Sequence, residues 1–512
     1  MKNKQLVYAL IGVTLVTLLP YVLAAILAGP EHVFTGFIFN SGDGATYLAK
    51  MRAGYDGDWQ FRLSYTADPG EGTYVYLFYL FLGNLARVTG LSIQGIYHLA
   101  RAAGAWFLIW SLYRFFFQIF SEKPEQATFA FLLSVFGSGM GWMALHLSQP
   151  TSDFWVAEAY PFLSMLTNAH FPTGLALILV SFTLLIAGPA KGRNIKLMLA
   201  GLLLSIIMPF GVVNLLFVAV VWVVWEWVNG GRSWQSLHWQ PLFSLGSLGG
   251  PYLLYQYWVL QTHPVLSGWN AQNIMISPPV WDLLLSFSPA IFLAAGGLIF
   301  IIRRPLANSE RLLITWLLVG LLLIYLPTTL QRRFMLGLYI PVVGLAVFGI
   351  KSVLATFPLM RRRIIPIVFG LAVPTNILLI LLSIFGILSH SPAYYLQRDE
   401  DRALRWLRDQ APNDCIVLAS PELSQWVPGW TGCRVIYGHP LETVNAEQEE
   451  AWVYQFYQEK GSVDIDLLSG RGIDYVVLGP REREIGGGGD YSALPVVYQS
   501  GQVQLLAVEE QP

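Results

Sequence analysis

Apolar runs long enough for a bilayer recur along the chain at 6–28, 97–119, 127–147, 171–188, 195–210, 211–228, 240–260, 280–302, 312–327, 334–350 and 364–388. A helix needs about 20 such residues to cross the hydrocarbon core, so the pattern predicts eleven transmembrane helices. Pro209 and Gly211 make the 195–210/211–228 junction tight. The run 6–28 is too long for a cleaved leader's core and reads as a retained first span. A further apolar run, 73–89, is read either as a span or as a helix lying in the interface. Positive charge decides between these readings, because Lys and Arg of short loops stay on the cytoplasmic side. With 73–89 interfacial and the N-terminus inside, Lys123, Lys191, Arg193, Arg232, Arg303, Arg304, Arg311, Lys351, Arg361, Arg362 and Arg363 all fall inside, while the outer loops 148–170 and 261–279 carry no Lys or Arg.

Beyond residue 388 the pattern changes. Helix periodicity at 399–410 and 446–459 alternates with short apolar strand signals at 415–419, 434–437 and 475–478. The segments 496–499 and 503–508 read as a hairpin turning at Ser500-Gly501. Strands alternating with helices predict a small α/β domain. The expected organisation is a membrane module over 1–388, with a first outer loop at 29–96, and a soluble extracytoplasmic α/β domain over 389–512. The Gly486–Gly489 run reads as a loop, since no helix start follows it.

Composition agrees with a membrane protein. Of 512 residues, 54% are hydrophobic and 12% charged, against about 25% charged in soluble domains. A net charge of −1 gives no footprint for nucleic acid. The 18 Trp and 24 Tyr suit interfacial belts. The two cysteines, Cys415 and Cys433, each start a predicted strand and can pair outside the cytoplasm if those strands are neighbours.

Candidate chemistry gathers on the expected outer side. Asp43 lies in Ser41-Gly42-Asp43-Gly44, ahead of a short surface helix over 44–54. It reads either as that helix's N-cap or as a carboxylate left accessible by its glycines. Asp153 and Glu158 sit in the second outer loop, which ends in His170; they can position a hydroxyl or hold a divalent metal, whereas His170 also reads as a helix cap. Asp58 follows the short helix and reads as solvated or structural. His263, Asn270 and Asn273 offer weak sugar contacts. Arg332 and Arg333 place positive charge on the outer side, against the topological trend, and read either as snorkelling side chains or as a bidentate phosphate site. His439 follows a predicted strand of the tail, where binding crevices of open sheets lie; a surface turn is the alternative. No P-loop, HExxH, CxxC or Ser-His-Asp order is present.

The arrangement of Asp43 behind the first span, the 44–53 helix, Gly57-Asp58-Trp59 and the interfacial run 73–89 resembles the GT-C class of membrane glycosyltransferases, which use polyprenyl-phosphate-linked sugars. The aminoarabinose and protein O-mannose transferases have this layout. The resemblance implies a catalytic carboxylate at Asp43, a second acid in the next outer loop (Asp153, then Glu158), and a lipid-phosphate site at Gln331-Arg332-Arg333. Many relatives have paired acids where this chain has Asp43-Gly44, so the metal requirement is left open.

The expected function is an inverting transfer of a sugar from a polyprenyl-phosphate donor to a glycan, lipid or protein acceptor outside the plasma membrane, with Asp43 as general base, Arg332 and Arg333 on the donor phosphate, and His170, Asp58 or His439 near an acceptor or metal. A lipid-sugar flippase is the first alternative; it calls for ionisable residues deep in the spans and a repeat between halves, and neither is visible. A membrane scaffold with an outer binding domain is the second.

Overall fold

The computed structural model describes residues 2–145, 150–230, 239–486 and 489–508. Arg232 and the Gly487-Gly488 centre of the glycine run lie outside the described residues. Among the described residues, helices lie along the apolar runs, with 280–302 and 364–388 each divided between two helices. Among the described residues, five helices are long and apolar enough to cross a membrane, and a pair bent by 90°, Val280–Ser286 with Ala290–Ile301, makes up to a sixth. The chain is therefore an integral membrane protein. Within the run 73–89, Leu77–Thr89 forms a 13-residue helix.

The chain divides into two compact units: Met1–Leu19, His98–Tyr255 and Ile274–Ser383 form the first; Pro20–Tyr97, Gln256–Asn273 and Ile384–Pro512 form the second.

The first unit is helical. Its apolar helices pack closely where side chains are smallest. A Cβ at Gly297 would stand 2.3 Å from the Leu345 carbonyl oxygen, and one at Gly349 would stand 1.9 Å from that of Leu293, so the helices Ala290–Ile301 and Tyr339–Thr356 meet backbone to backbone. Arg101, only 1% exposed, donates to the carbonyls of Thr17, Met165 and Leu166 at 2.9–3.2 Å. A guanidinium in that place satisfies carbonyls that apolar neighbours cannot.

In the second unit, strand β1 (His32–Phe34) pairs antiparallel with β2 (Tyr395–Gln397), His32 opposite Gln397. The remaining strands, β3 (Ile416–Leu418), β4 (Arg434–Val435), β5 (Tyr475–Leu478), β6 (Val496–Ser500) and β7 (Val503–Ala507), form one sheet in the order β4-β3-β5-β7-β6. β3 runs parallel to β4 and β5, whereas β7 is antiparallel to β5 and β6. The sheet packs a core of Ile416, Leu418, Val453, Tyr457, Val476 and Leu506. Helices Arg398–Gln410 and Ala446–Gln458 fall where the periodicity placed them.

Cys415 and Cys433, immediately before β3 and β4, form a disulfide across a sequence separation of 18. Closing a loop of that length removes unfolded-state freedom worth about 3 kcal/mol. The intervening turn of chain carries two short helices, Pro421–Ser424 and Val427–Thr431, the second of which packs on the helix bearing Asp43.

Candidate active site

The helix bearing Asp43 starts earlier than the sequence suggested. It runs from Ser41 to Asp56, and its N-cap is Asn40 in the left-handed region at φ 47°. Asp43 is therefore not the cap. It lies in the first turn, where its negative charge is favoured by the unsatisfied N–H groups at the helix start. Asparagine is among the few residues that tolerate this backbone conformation, and its side-chain amide donates to Asp43 Oδ2.

Of the glycines around Asp43, Gly44 has a packing origin, whereas a Cβ at Gly42 would make only an ordinary contact. A Cβ at Gly44 would fall 2.3 Å from the Phe37 ring, and one at Gly42 would touch the His439 ring at 3.4 Å. Further along, Gly54 and Gly83 let the helices Ser41–Asp56 and Leu77–Thr89 approach until a Cβ on either would sit 2.1 Å or 1.9 Å from a carbonyl oxygen of the other.

Two side-chain contacts join this helix to the loop after β4. His439 Nε2 stands 3.6 Å from Asp43 Oδ1, with the histidine side chain 9% and the aspartate 35% exposed. Seven residues on, and so on the same helix face, Lys50 pairs with Glu442 Oε1 at 2.7 Å. The Lys50 ammonium also lies over the Tyr76 ring at 4.6 Å. The loop is fixed by its own bonds. Leu441 N–H donates to His439 Nδ1 at 3.1 Å, Thr443 N–H to the His439 carbonyl at 2.9 Å, and the Asn273 amide to the Leu441 carbonyl at 3.0 Å. The Lys50–Glu442 pair escaped the sequence reading because a helix assigned to a membrane surface gives no reason to bury a lysine.

In the first unit, Glu158 and Arg333 come together: Arg333 Nη1 is 3.3 Å from Glu158 Oε1, and the glutamate side chain is 4% exposed. The Arg333 guanidinium lies over Phe210 at 5.5 Å and Phe171 at 6.0 Å. Arg332 lies over Trp155 at 4.7 Å and reaches Met275 Sδ at 3.0 Å. Both arginines belong to the short 3-10 helix Gln331–Met335.

Asp153 is fully buried and accepts from Thr151 Oγ1 (2.7 Å), Thr375 Oγ1 (2.9 Å) and Gly141 N–H (3.0 Å). Its oxygens tie three chain segments together. Burial pushes its carboxyl up to about 6, and these hydrogen bonds only partly oppose the shift. The folded state then holds a proton that the unfolded state has lost between about pH 4 and pH 6. Relative to Asp153→Asn, wild type is expected to lose up to about 3 kcal/mol of stability as pH rises through that window, with no further change above it. Melting of both proteins in detergent from pH 4 to 7 checks this; a gap that stays constant with pH refutes it.

The other candidates are placed as follows. Asp58 is exposed beyond the helix end. The cap before His170–Ile186 is Ala169, so His170 is the first helical residue and not the cap; its ring lies 4.1 Å from that of Phe171. His263 caps the helix Pro264–Gln272 by accepting from Val265 and Leu266 N–H, and Asn273 is bonded to main chain, so these two serve the scaffold. Among the described residues, no group of three or more His, Cys, Asp and Glu side chains gathers to hold a metal ion.

No family model matches the sequence, and no curated protein matches it. Solved structures do. ArnT from Cupriavidus metallidurans bound to undecaprenyl phosphate aligns with a TM-score of 0.52 at 12% identity over 97% of this chain and 98% of its own. The Archaeoglobus fulgidus oligosaccharyltransferase gives 0.50 at 12% over 90% and 67%. The mycobacterial arabinofuranosyltransferase AftD gives 0.51 at 14% over 98% of this chain but 40% of that longer protein. These neighbours are GT-C glycosyltransferases, and theirs is the fold of this chain.

Proposed function

We propose that this protein is a membrane glycosyltransferase that moves a sugar from a polyprenyl-phosphate donor to an acceptor hydroxyl, with inversion. The observation that carries the reading is Asp43: a carboxylate one-third exposed, in the first turn of the helix that follows the first apolar span, held by Asn40 and faced by His439. In the reaction, Asp43 takes the acceptor's proton as the oxygen bonds to the anomeric carbon. The bond from that carbon to the phosphate oxygen breaks, and its electron pair leaves on polyprenyl phosphate. Charge grows on that phosphate in the transition state, where a fixed guanidinium is most effective. Arg332 and Arg333 are assigned to it. Glu158, paired with Arg333, then acts as the brace for that arginine, and Asp153 as a structural tie. No step is routed through a metal.

The donor class is supported by the fold, one of whose bearers, ArnT from Cupriavidus metallidurans, is bound to undecaprenyl phosphate. The same reading keeps eleven spans, a cytoplasmic N-terminus and an outer position for residues 389–512.

The test uses purified protein in nanodiscs, a panel of polyprenyl-phosphate sugars and a cell-envelope extract as acceptor, and follows release of polyprenyl phosphate. Wild type is expected to release it with at least one donor, and Arg332→Ala to release it 10²- to 10³-fold more slowly, by about 3 to 4 kcal/mol. Release by wild type that is unchanged in Arg332→Ala removes the arginine from the mechanism. No release with any donor removes the transferase reading.

A further inference from the structure

The contact between His439 and Asp43 extends the site beyond the helix that carries the carboxylate. We propose that His439 is a positioning residue: its Nε2–H fixes Asp43 in the orientation in which it receives the acceptor's proton, so the loop 438–443 after β4 is part of the active site. The proposal rests on the glycosyltransferase reading above.

The tautomer follows from the main chain. Leu441 N–H has a proton to donate, and it points at His439 Nδ1 from 3.1 Å. Nδ1 must therefore present its lone pair, and the neutral ring carries its single proton on Nε2. Nε2 is the atom that faces Asp43 Oδ1. Asn40 donates to the other oxygen, Oδ2. Each carboxylate oxygen thus faces one of these two donors. At 3.6 Å the His439 contact is longer than a formed hydrogen bond, and catalytic hydrogen bonds in unliganded sites are commonly long and tighten around substrate.

The ring itself has little freedom. His439 is 7% exposed as a residue and packs against Tyr65 at 6.3 Å between centroids; Tyr65 is in turn fixed by its hydroxyl donating to the Gln425 carbonyl at 2.9 Å. Thr443, whose N–H bonds to the His439 carbonyl, also offers its hydroxyl to the N–H groups of Gly438 and His439 at 3.4 Å. The Lys50–Glu442 pair holds the same loop to the same helix three residues away. A loop whose only task was to cover the helix would be held by that ion pair and by its own bonds. The proton of a buried imidazole aimed at the partly exposed Asp43 carboxylate is the additional element.

The test compares His439→Ala and His439→Gln with wild type and Asp43→Asn in the donor-release assay, with a melting curve for each. Glutamine keeps an N–H donor at similar reach and lacks the ring. His439→Ala is expected to lower kcat 10- to 100-fold with KM within about twofold, because a misoriented base loses rate and not donor affinity. His439→Gln is expected to recover most of that loss. Both should melt near wild type, since the ion pair is intact. Three outcomes overturn the proposal: His439→Ala with wild-type kcat while Asp43→Asn is inactive; equal losses in His439→Ala and His439→Gln; or a loss confined to KM. The first of these leaves the glycosyltransferase reading standing, whereas a wild type that turns over no donor removes that reading and this proposal together. If His439→Ala does not fold, the kcat of His439→Gln, expected within about fivefold of wild type on the same argument, decides: a drop to the level of Asp43→Asn refutes it.

Discussion

Asp43→Asn is expected to lower the rate of polyprenyl-phosphate release by 10²- to 10⁴-fold, the span that a positioned general base contributes. The substitution is nearly isosteric. The Asn40 amide and the His439 imidazole, which now face Asp43 oxygens, would still find one amide oxygen between them. Helix formation should hardly change, because loss of one negative charge near a helix start alters stability by at most about 1 kcal/mol. The effect should therefore fall on kcat with the melting temperature close to wild type. A binding readout separates this from a folding defect: retention of a fluorescent polyprenyl-phosphate sugar on nanodiscs should survive in Asp43→Asn. Wild-type turnover in that variant would take Asp43 out of the chemistry. Loss of donor binding together with turnover would make it a binding residue.

The second large effect is on stability. Lys50 is 3% and Glu442 12% exposed at the side chain, and their 2.7 Å pair lies under the rings of Tyr76 and Phe61. Removing one partner of a buried ion pair leaves the other charge desolvated and uncompensated, which costs about 3 to 5 kcal/mol. Lys50→Ala and Glu442→Ala are each expected to lose that much in chemical denaturation of the detergent-solubilised protein. The double variant Lys50→Met/Glu442→Leu, which replaces both charges by apolar groups of similar volume, should recover most of the loss. Additive losses in the double variant would show that the two side chains act independently, and the ion pair would then not be what joins the loop to the helix.

Much of the architecture was legible because its causes are local. Apolar runs of bilayer length and the short alternating strand signals beyond residue 410 are readable from neighbouring residues, and the described helices and the five-stranded sheet fall on them. The disulfide was legible for a similar reason: both cysteines open strands, and β3 and β4 are adjacent. What was missed depends on distant partners. Asp153 looks like an outer-loop acid until Thr375, 222 residues away, is seen to donate to it. Glu158 and Arg333 looked like two separate pieces of chemistry and are one ion pair. The 44–54 helix was read as lying along a surface, yet Ala45, Leu48, Ala49, Lys50 and Met51 are all buried. Asp43 was singled out from its place behind the first span, but its surroundings, Asn40 in a left-handed turn and an imidazole from nearly 400 residues along, leave no trace in the local pattern.

The pairing of β1 with β2 sets an order of events during synthesis. β1 emerges just after the first apolar helix, and the segment it zips to is made more than 360 residues later. At about 5 to 20 residues per second, β1 spends tens of seconds with its hydrogen-bonding edge unpaired while the intervening helices insert. An unpaired edge strand is a template for the wrong partner. At three residues, β1 is too short to be an efficient one. The nascent chain can therefore wait, and the closure that completes the unit is delayed until the last apolar helix has been made.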